Sequence, residues 1–223
     1  MVLKNIIFDW SGTLVNDMPP VIGATNYILR KLGKEEMTLD EFRAEFCLPF
    51  SRFYERVAPG VEPGQLETWF HEAYIPLQDN VEALDHAEDF LQFVKSKRIR
   101  TFLFSSMHQQ HYESLQERIA FNQYLDHPYV GVWDKKARIA ELINKHQLVP
   151  EETLFIGDMV HDIETAHHGN LRSCAVLTGY TRMEELRSSE PDLIVEDLSV
   201  LQELLETANW DWEAVLEKNN GVK

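Results

Sequence analysis

Short apolar runs alternate with longer stretches of helical period over most of the chain. Residues 3–8, 99–104, 153–156, 173–177 and 192–195 are brief and mostly apolar, as strands are. Between them apolar positions recur with the period of a helix. Leu84, Ala87, Phe90, Leu91 and Val94 fall on one face, as do Ala137, Ile139, Ala140 and Ile143. Strands that are apolar along their whole length are covered on both faces, and the intervening helices supply the cover. The pattern predicts an α/β fold built on a doubly wound parallel sheet. Ligands of such sheets sit at the carboxyl ends of the strands.

One stretch breaks the alternation. From about residue 16 to 78 there is no strand pattern, only helical ones. Val21, Ala24, Thr25, Ile28, Leu29 and Leu32 share a face that Gly33 ends. Thr38 and Glu41 have the spacing of a capping box for a helix running to Phe46. Pro49 and Ala58-Pro59-Gly60 punctuate the remainder of the stretch. The expected organisation is a core made of residues 1–15 and 80–207, a helical cap over 16–79, and a tail over 208–223. An insertion directly after the first strand lies over the carboxyl edge of the sheet, where a lid closes. The tail is expected to dock a short helix and to fray at Asn219-Asn220-Gly221.

Composition narrows the function. Among 223 residues, Lys+Arg is 21 against Asp+Glu 37, a formal net charge of -16. Such a balance repels phosphate backbones and anionic membrane surfaces, so nucleic acid and membrane are not expected partners. No apolar run reaches the length of a membrane span, and the apolar start meets Asp9 too soon for a signal peptide. Cys47 and Cys174 stand far apart in apolar contexts and read as reduced, buried thiols of a cytoplasmic protein.

The chemistry-bearing residues come directly after the strands. The first strand ends in Asp9-Trp10-Ser11-Gly12-Thr13, the second in Ser105-Ser106, and the third in Gly157-Asp158-Met159-Val160-His161-Asp162; Lys135-Lys136 precedes a helix. Parallel neighbours would bring these carboxylates, hydroxyls and an ammonium to one edge. Clustered carboxylates suit a hard cation such as Mg²⁺, and a hydroxyl with an ammonium suits phosphoryl oxygens. A carboxylate there can attack phosphorus. Taken singly, Asp9 is a turn or cap residue, Ser105 a loop residue, and Lys135 or Lys136 a solvated helix start.

Four such segments in order resemble the haloacid dehalogenase superfamily of aspartate-nucleophile hydrolases, and within it the phosphoglycolate-phosphatase-like members. The family's Asp-x-Asp-Gly-Thr is similar to Asp9-Trp10-Ser11-Gly12-Thr13, its hydroxyl residue to Ser105, its lysine to Lys135, and its Gly-Asp-x-x-x-Asp to Gly157 through Asp162. The resemblance covers roughly residues 1–207. It implies a Rossmann-like core with an inserted helical cap, and a Mg²⁺-dependent phosphatase acting on a small phosphorylated metabolite, phosphoglycolate or a similarly small organic phosphate. Asp9 would be the nucleophile. Asp9, Asp158 and the backbone carbonyl of Ser11 would hold the metal, and Asp162, Gly12 and Ser106 would support the metal and phosphate. Ser105 and Lys135 would bind the phosphoryl group, with Lys136 an alternative to Lys135. Phe50 and Arg52 of the cap would contact the substrate.

The departure is Ser11, which stands where the family's phosphatases place a second aspartate as general acid and base. A hydroxyl cannot fill that role near neutral pH, and such help is worth roughly 10²–10⁴ in rate. Two alternatives arise from it: a phosphonate-cleaving enzyme like the branch bearing a small residue there, or a phosphate-binding scaffold without turnover. The first needs a cap lysine, for which only Lys31 and Lys34 are available. His161, His167 and His168 are expected at the surface, Trp10 in packing.

Overall fold

The computed structural model describes residues 1–220. Its strands are β1 (Asn5–Phe8), β2 (Val15–Asn16), β3 (Glu82–Ala83), β4 (Arg100–Phe104), β5 (His127–Tyr129), β6 (Thr153–Gly157), β7 (Arg172–Val176) and β8 (Leu193–Val195). Six of them form one sheet in the order β5-β4-β1-β6-β7-β8, every pair parallel. The five expected strands all stand in it. β5 escapes the apolar pattern because it is a short edge strand carrying Pro128, which only an edge tolerates. β2 and β3 make a small antiparallel pair where the chain leaves and re-enters the core.

Four helices lie between β2 and β3: α1 (Met18–Lys31), α2 (Leu39–Glu45), α3 (Phe50–Val57) and α4 (Pro63–Tyr74). Then come α5 (Ala87–Ser96), α6 (Gln109–Ile119), α7 (Lys135–His146), α8 (Val160–His168), α9 (Met183–Ser188), α10 (Leu198–Thr207) and α11 (Trp212–Asn220). None among the described residues is long and apolar enough to cross a membrane.

The period-2 rule explains the double cover. Ile6 and Phe8 of β1 face one layer, with Phe90, Leu91, Leu201 and Trp212. Ile7 faces the other, with Phe102, Phe155, Ile139 and Leu142. α1–α4 bury a separate cluster around Ile28, Phe42, Phe53 and Tyr74, into which Met159 and Tyr180 reach from the sheet edge. Gly33 ends α1 at φ +67, as a left-handed cap requires. Thr38 and Glu41 form the reciprocal capping box, at 3.2 and 2.8 Å.

Some local expectations are corrected. On α7 the buried face is Lys135, Ile139 and Leu142, while Ala137 and Ala140 are exposed, because the helix turns its first residue inward. α5 starts at Ala87, leaving Leu84 in the connection. Cys47 is only half-buried, its Sγ 3.5 Å from the Arg56 guanidinium, while Cys174 is buried. The C-terminal helix docks through Trp212 N–H on the Met1 carbonyl (2.9 Å) and Leu3 N–H on the Trp210 carbonyl (3.0 Å). Asn219 and Asn220 belong to α11 rather than fraying, and Gly221 lies outside the described residues.

Trp212 is wholly buried against the β1 layer. Trp212→Ala is expected to lower the unfolding free energy by about 3–5 kcal/mol in urea titrations; a loss under about 1 kcal/mol would mean that the tail is dispensable.

Candidate active site at the carboxyl edge of the sheet

β1 lies between β4 and β6, so the chain leaves it toward both sides and the crevice opens at its carboxyl end. Asp9 is the first residue beyond β1, and its N–H still donates to the Ile156 carbonyl (2.9 Å), which fixes the side chain at the edge. Asp158 comes immediately after β6, and Asp162 sits in the first turn of α8, accepting from the Met159 N–H (3.1 Å). Lys135 opens α7 and is fully buried. Its Nζ lies 2.7 Å from Asp9 Oδ1 and 2.6 Å from Asp162 Oδ1. Its backbone N–H donates to His161 Nε2 (3.2 Å).

Asp158 accepts from the Tyr180 N–H (2.7 Å) and the Thr13 hydroxyl (3.4 Å). Gly12 (φ +73) and Gly179 both press on it: a Cβ at either position would overlap the carboxylate. Carboxylate oxygens of Asp9, Asp158 and Asp162 lie within 4.8 Å of one another, all three residues buried. Burial pushes Asp9 up to about 7 against the pull of the Lys135 ammonium. Burial, with Asp9 and Asp162 adding to it, lifts Asp158 well above the carboxylate range. Burial acts to lower the Lys135 pKa, but Asp162 and Asp9 overcome it and hold the ammonium charged. Three buried acids share one ammonium and resist ionising together without further positive charge, and an all-oxygen donor set of this kind fits a hard divalent cation.

Of the other expected site residues, Ser105 is buried at the end of β4, where its hydroxyl accepts from the Met107 N–H (3.1 Å). Ser106, Ser11 and Phe50 line a cavity of about 400 Å³ between the sheet edge and α1–α4, with Asp9 at its floor. Arg52 does not line it and is exposed. Phe50 and Tyr54, one turn apart, face the cavity, and a residue two positions from Phe50 projects from the opposite side of α3. Lys136 pairs instead with Glu164 at the surface (2.8 Å), which distinguishes it from Lys135. His161 is buried behind Lys135 rather than at the surface, whereas His167 and His168 are exposed. Trp10 is packing: it is fully buried edge-on to Tyr112 and Phe121.

Sequence reasoning misses Asp17. It is almost fully buried in the cavity wall, accepting from Ser11 Oγ (2.6 Å) and from the Tyr180 hydroxyl (2.8 Å). Burial pushes its pKa up to about 6, although both hydroxyls pull it down. In the sequence an aspartate ahead of Pro19-Pro20 reads only as a helix start, and Tyr180 is too distant in the chain to betray the pairing.

Comparison with known proteins places the chain in a family and a fold. Residues 6–176 match the family described as Haloacid dehalogenase-like hydrolase. The chain is 25% identical over 204 residues to a phosphoglycolate phosphatase of Synechococcus elongatus, covering 89% of this chain and 95% of that one. It is 25% identical over 215 residues to pyrophosphatase PpaX of Anoxybacillus flavithermus, covering 92% and 98%. The fold matches the crystal structure of a predicted phosphatase from Clostridium acetobutylicum with a TM-score of 0.82 at 18% identity, covering 92% of this chain and 100% of that one.

Asp17 gives the site a pH signature. Its folded-state pKa of about 6 exceeds the reference 3.8, so the folded state holds that proton more tightly. The resulting penalty is absent below about pH 4, grows as pH rises and is complete above about pH 6. With metal chelated, the stability of Asp17→Asn relative to the natural chain should rise by up to about 3 kcal/mol between pH 4 and pH 7. Urea midpoints that keep a constant difference across that range would contradict the raised pKa.

Proposed function

The chain belongs to the haloacid dehalogenase-like hydrolase family, and on that footing we propose that it is a Mg²⁺-dependent phosphomonoester hydrolase working through an aspartyl-phosphate on Asp9. The observation that carries this reading is the buried Asp9–Lys135–Asp162 cluster with Asp158 beside it. Asp9 and Asp158 would hold the ion with the Ser11 carbonyl, and Asp162 and Gly12 would support the site. When bound, Mg²⁺ supplies the positive charge that offsets the phosphoryl oxygens.

The chain's own residues do the rest. The Asp9 carboxylate attacks phosphorus as the bond to the leaving oxygen breaks, and water then cleaves the acyl phosphate to return Asp9 and phosphate. Lys135 stabilises the charge that develops on the phosphoryl group. The Ser105 oxygen accepts from Met107, which leaves its own proton to donate to a phosphoryl oxygen, with Ser106 beside it at the cavity. α1–α4 act as the cap, and with it closed the reaction is shielded from bulk water. Two unpaired cysteines fit a cytoplasmic setting.

Ser11 donates its proton to Asp17 and offers no carboxyl to the leaving oxygen. Esters of poor leaving groups therefore react slowly, and esters of better ones are favoured. The phosphonate-cleaving alternative loses its lysine: Lys31 pairs with Glu72 (3.1 Å), Lys34 donates to the Val57 carbonyl (2.6 Å), and neither lines the cavity.

Phosphate release from a panel of monoesters should require Mg²⁺ and fall at least roughly 10³-fold in Asp9→Asn; release that ignores both would overturn the mechanism. Ser11→Asp alone sets a second carboxylate against Asp17, and the two acids then compete for one proton. Ser11→Asp combined with Asp17→Ser should therefore hydrolyse alkyl esters about 10²-fold faster than the natural chain, within the range of acid–base help, and the single variant should gain less. Equal rates for the single and double variants would show that Asp17 does not constrain position 11.

A further inference from the structure

The same cavity also carries information about what it holds beyond the phosphate. Its walls above Asp9 are aromatic and apolar, with Phe46, Phe50, Tyr54, Phe70 and Trp133 among them, and no lysine or arginine lines it among the described residues. Arg52 projects from the far side of α3, and three other nearby cations hold contacts outside the cavity. Arg43 donates to the Gly179 carbonyl (3.1 Å), Arg118 to the Gln78 carbonyl (2.9 Å), and Arg56 pairs with Glu45 (3.1 Å). Lys135 is buried between Asp9 and Asp162. Glu55 and Glu67 add negative charge to the lining.

At the α4–α6 end three histidines line the cavity, and the ring of His71 faces the Glu67 carboxylate (3.6 Å). His71 Nδ1 and His111 Nε2 are 2.6 Å apart, and His111 Nδ1 lies 3.4 Å from Gln78 Oε1. His108 Nδ1 accepts from the Gln110 N–H (3.3 Å). Burial, with His71 and His108 adding to it, lowers His111 to about 4, so it is neutral. A second anionic group on a substrate would enter an apolar, acid-flanked space that offers it no lysine or arginine, where an unpaired ion is strongly disfavoured. A ring would meet aromatic walls.

We infer that this site selects phosphate monoesters of apolar, ring-bearing alcohols that carry no second anionic group, and discriminates against compact substrates with two anionic groups such as phosphoglycolate and pyrophosphate. The turnover part of this inference rests on the phosphatase reading above; the binding part does not. Ser11 acts in the same direction, because ring alcohols of phenol type are good leaving groups that need little acid help.

The experiment has a turnover arm and a binding arm, both at pH 8 with Mg²⁺. In the first, kcat/KM for benzyl phosphate is compared with that for phosphoglycolate; both are alkyl esters, so leaving-group chemistry does not decide the ratio. Benzyl phosphate should be favoured at least about 10-fold, the scale on which apolar pockets discriminate. In Phe50→Arg, which puts a cation into the lining, the ratio should fall. In the second arm, calorimetry compares phenylphosphonate with phosphonoacetate, neither of which is a phosphate ester. Phenylphosphonate should bind at least about 10-fold tighter. If no ester turns over but phenylphosphonate binds tighter, the phosphatase reading fails and the selectivity stands. Preference for phosphoglycolate or phosphonoacetate, or failure of both phosphonates to bind, overturns the inference.

Discussion

Lys135 has no exposed surface, and its ammonium persists only because Asp9 and Asp162 flank it at 2.7 and 2.6 Å. That requirement reaches through the whole core. The three residues come from the end of β1, the start of α7 and the first turn of α8, so the sheet order and both helix positions must be right before the charges can meet. Breaking one partner of such a buried group leaves an uncompensated charge, at about 3–5 kcal/mol. The cluster is therefore a constraint on the fold as well as a candidate catalytic centre. The turn of α7 that delivers Lys135 inward also explains why Ala137 and Ala140 lie outside its buried face.

A second set of contacts joins the sheet edge to the helices above it. Tyr180 donates its N–H to Asp158 and its hydroxyl to Asp17, and its ring packs on Phe42 and Phe46. Asp17 in turn holds Ser11, two residues from Asp9. One side chain thus couples the acid cluster, the entry to α1 and the aromatic cluster of the helical unit. Gly12 and Gly179 serve the same junction by leaving room for Asp158, which no side chain at either place would allow. Ser11 is part of this network, and its chemistry differs from that of a free aspartate because its proton is already committed to Asp17.

Much of this was legible in the residues alone, and for identifiable reasons. Buried parallel strands must be apolar throughout and helices must repeat apolar positions, so the periods of the sequence determined the α/β sheet, the helical run over 16–79 and the capping box at Thr38. Residues that come just after strand ends share one edge, so Asp9, Ser105 and Asp158 are expected in one neighbourhood, with Lys135 joining them from the start of a helix. What only the tertiary structure decided depends on direction and distance across the chain. Lys135 rather than Lys136 enters the cluster because the start of α7 aims it inward, and His161 lies behind it instead of in solvent. Arg52 leaves the cavity to Phe50 because α3 turns it outward. Asp17 becomes a buried acid only when Ser11 and Tyr180 close on it, a pairing that local periodicity cannot encode because its partners meet through packing, not through spacing.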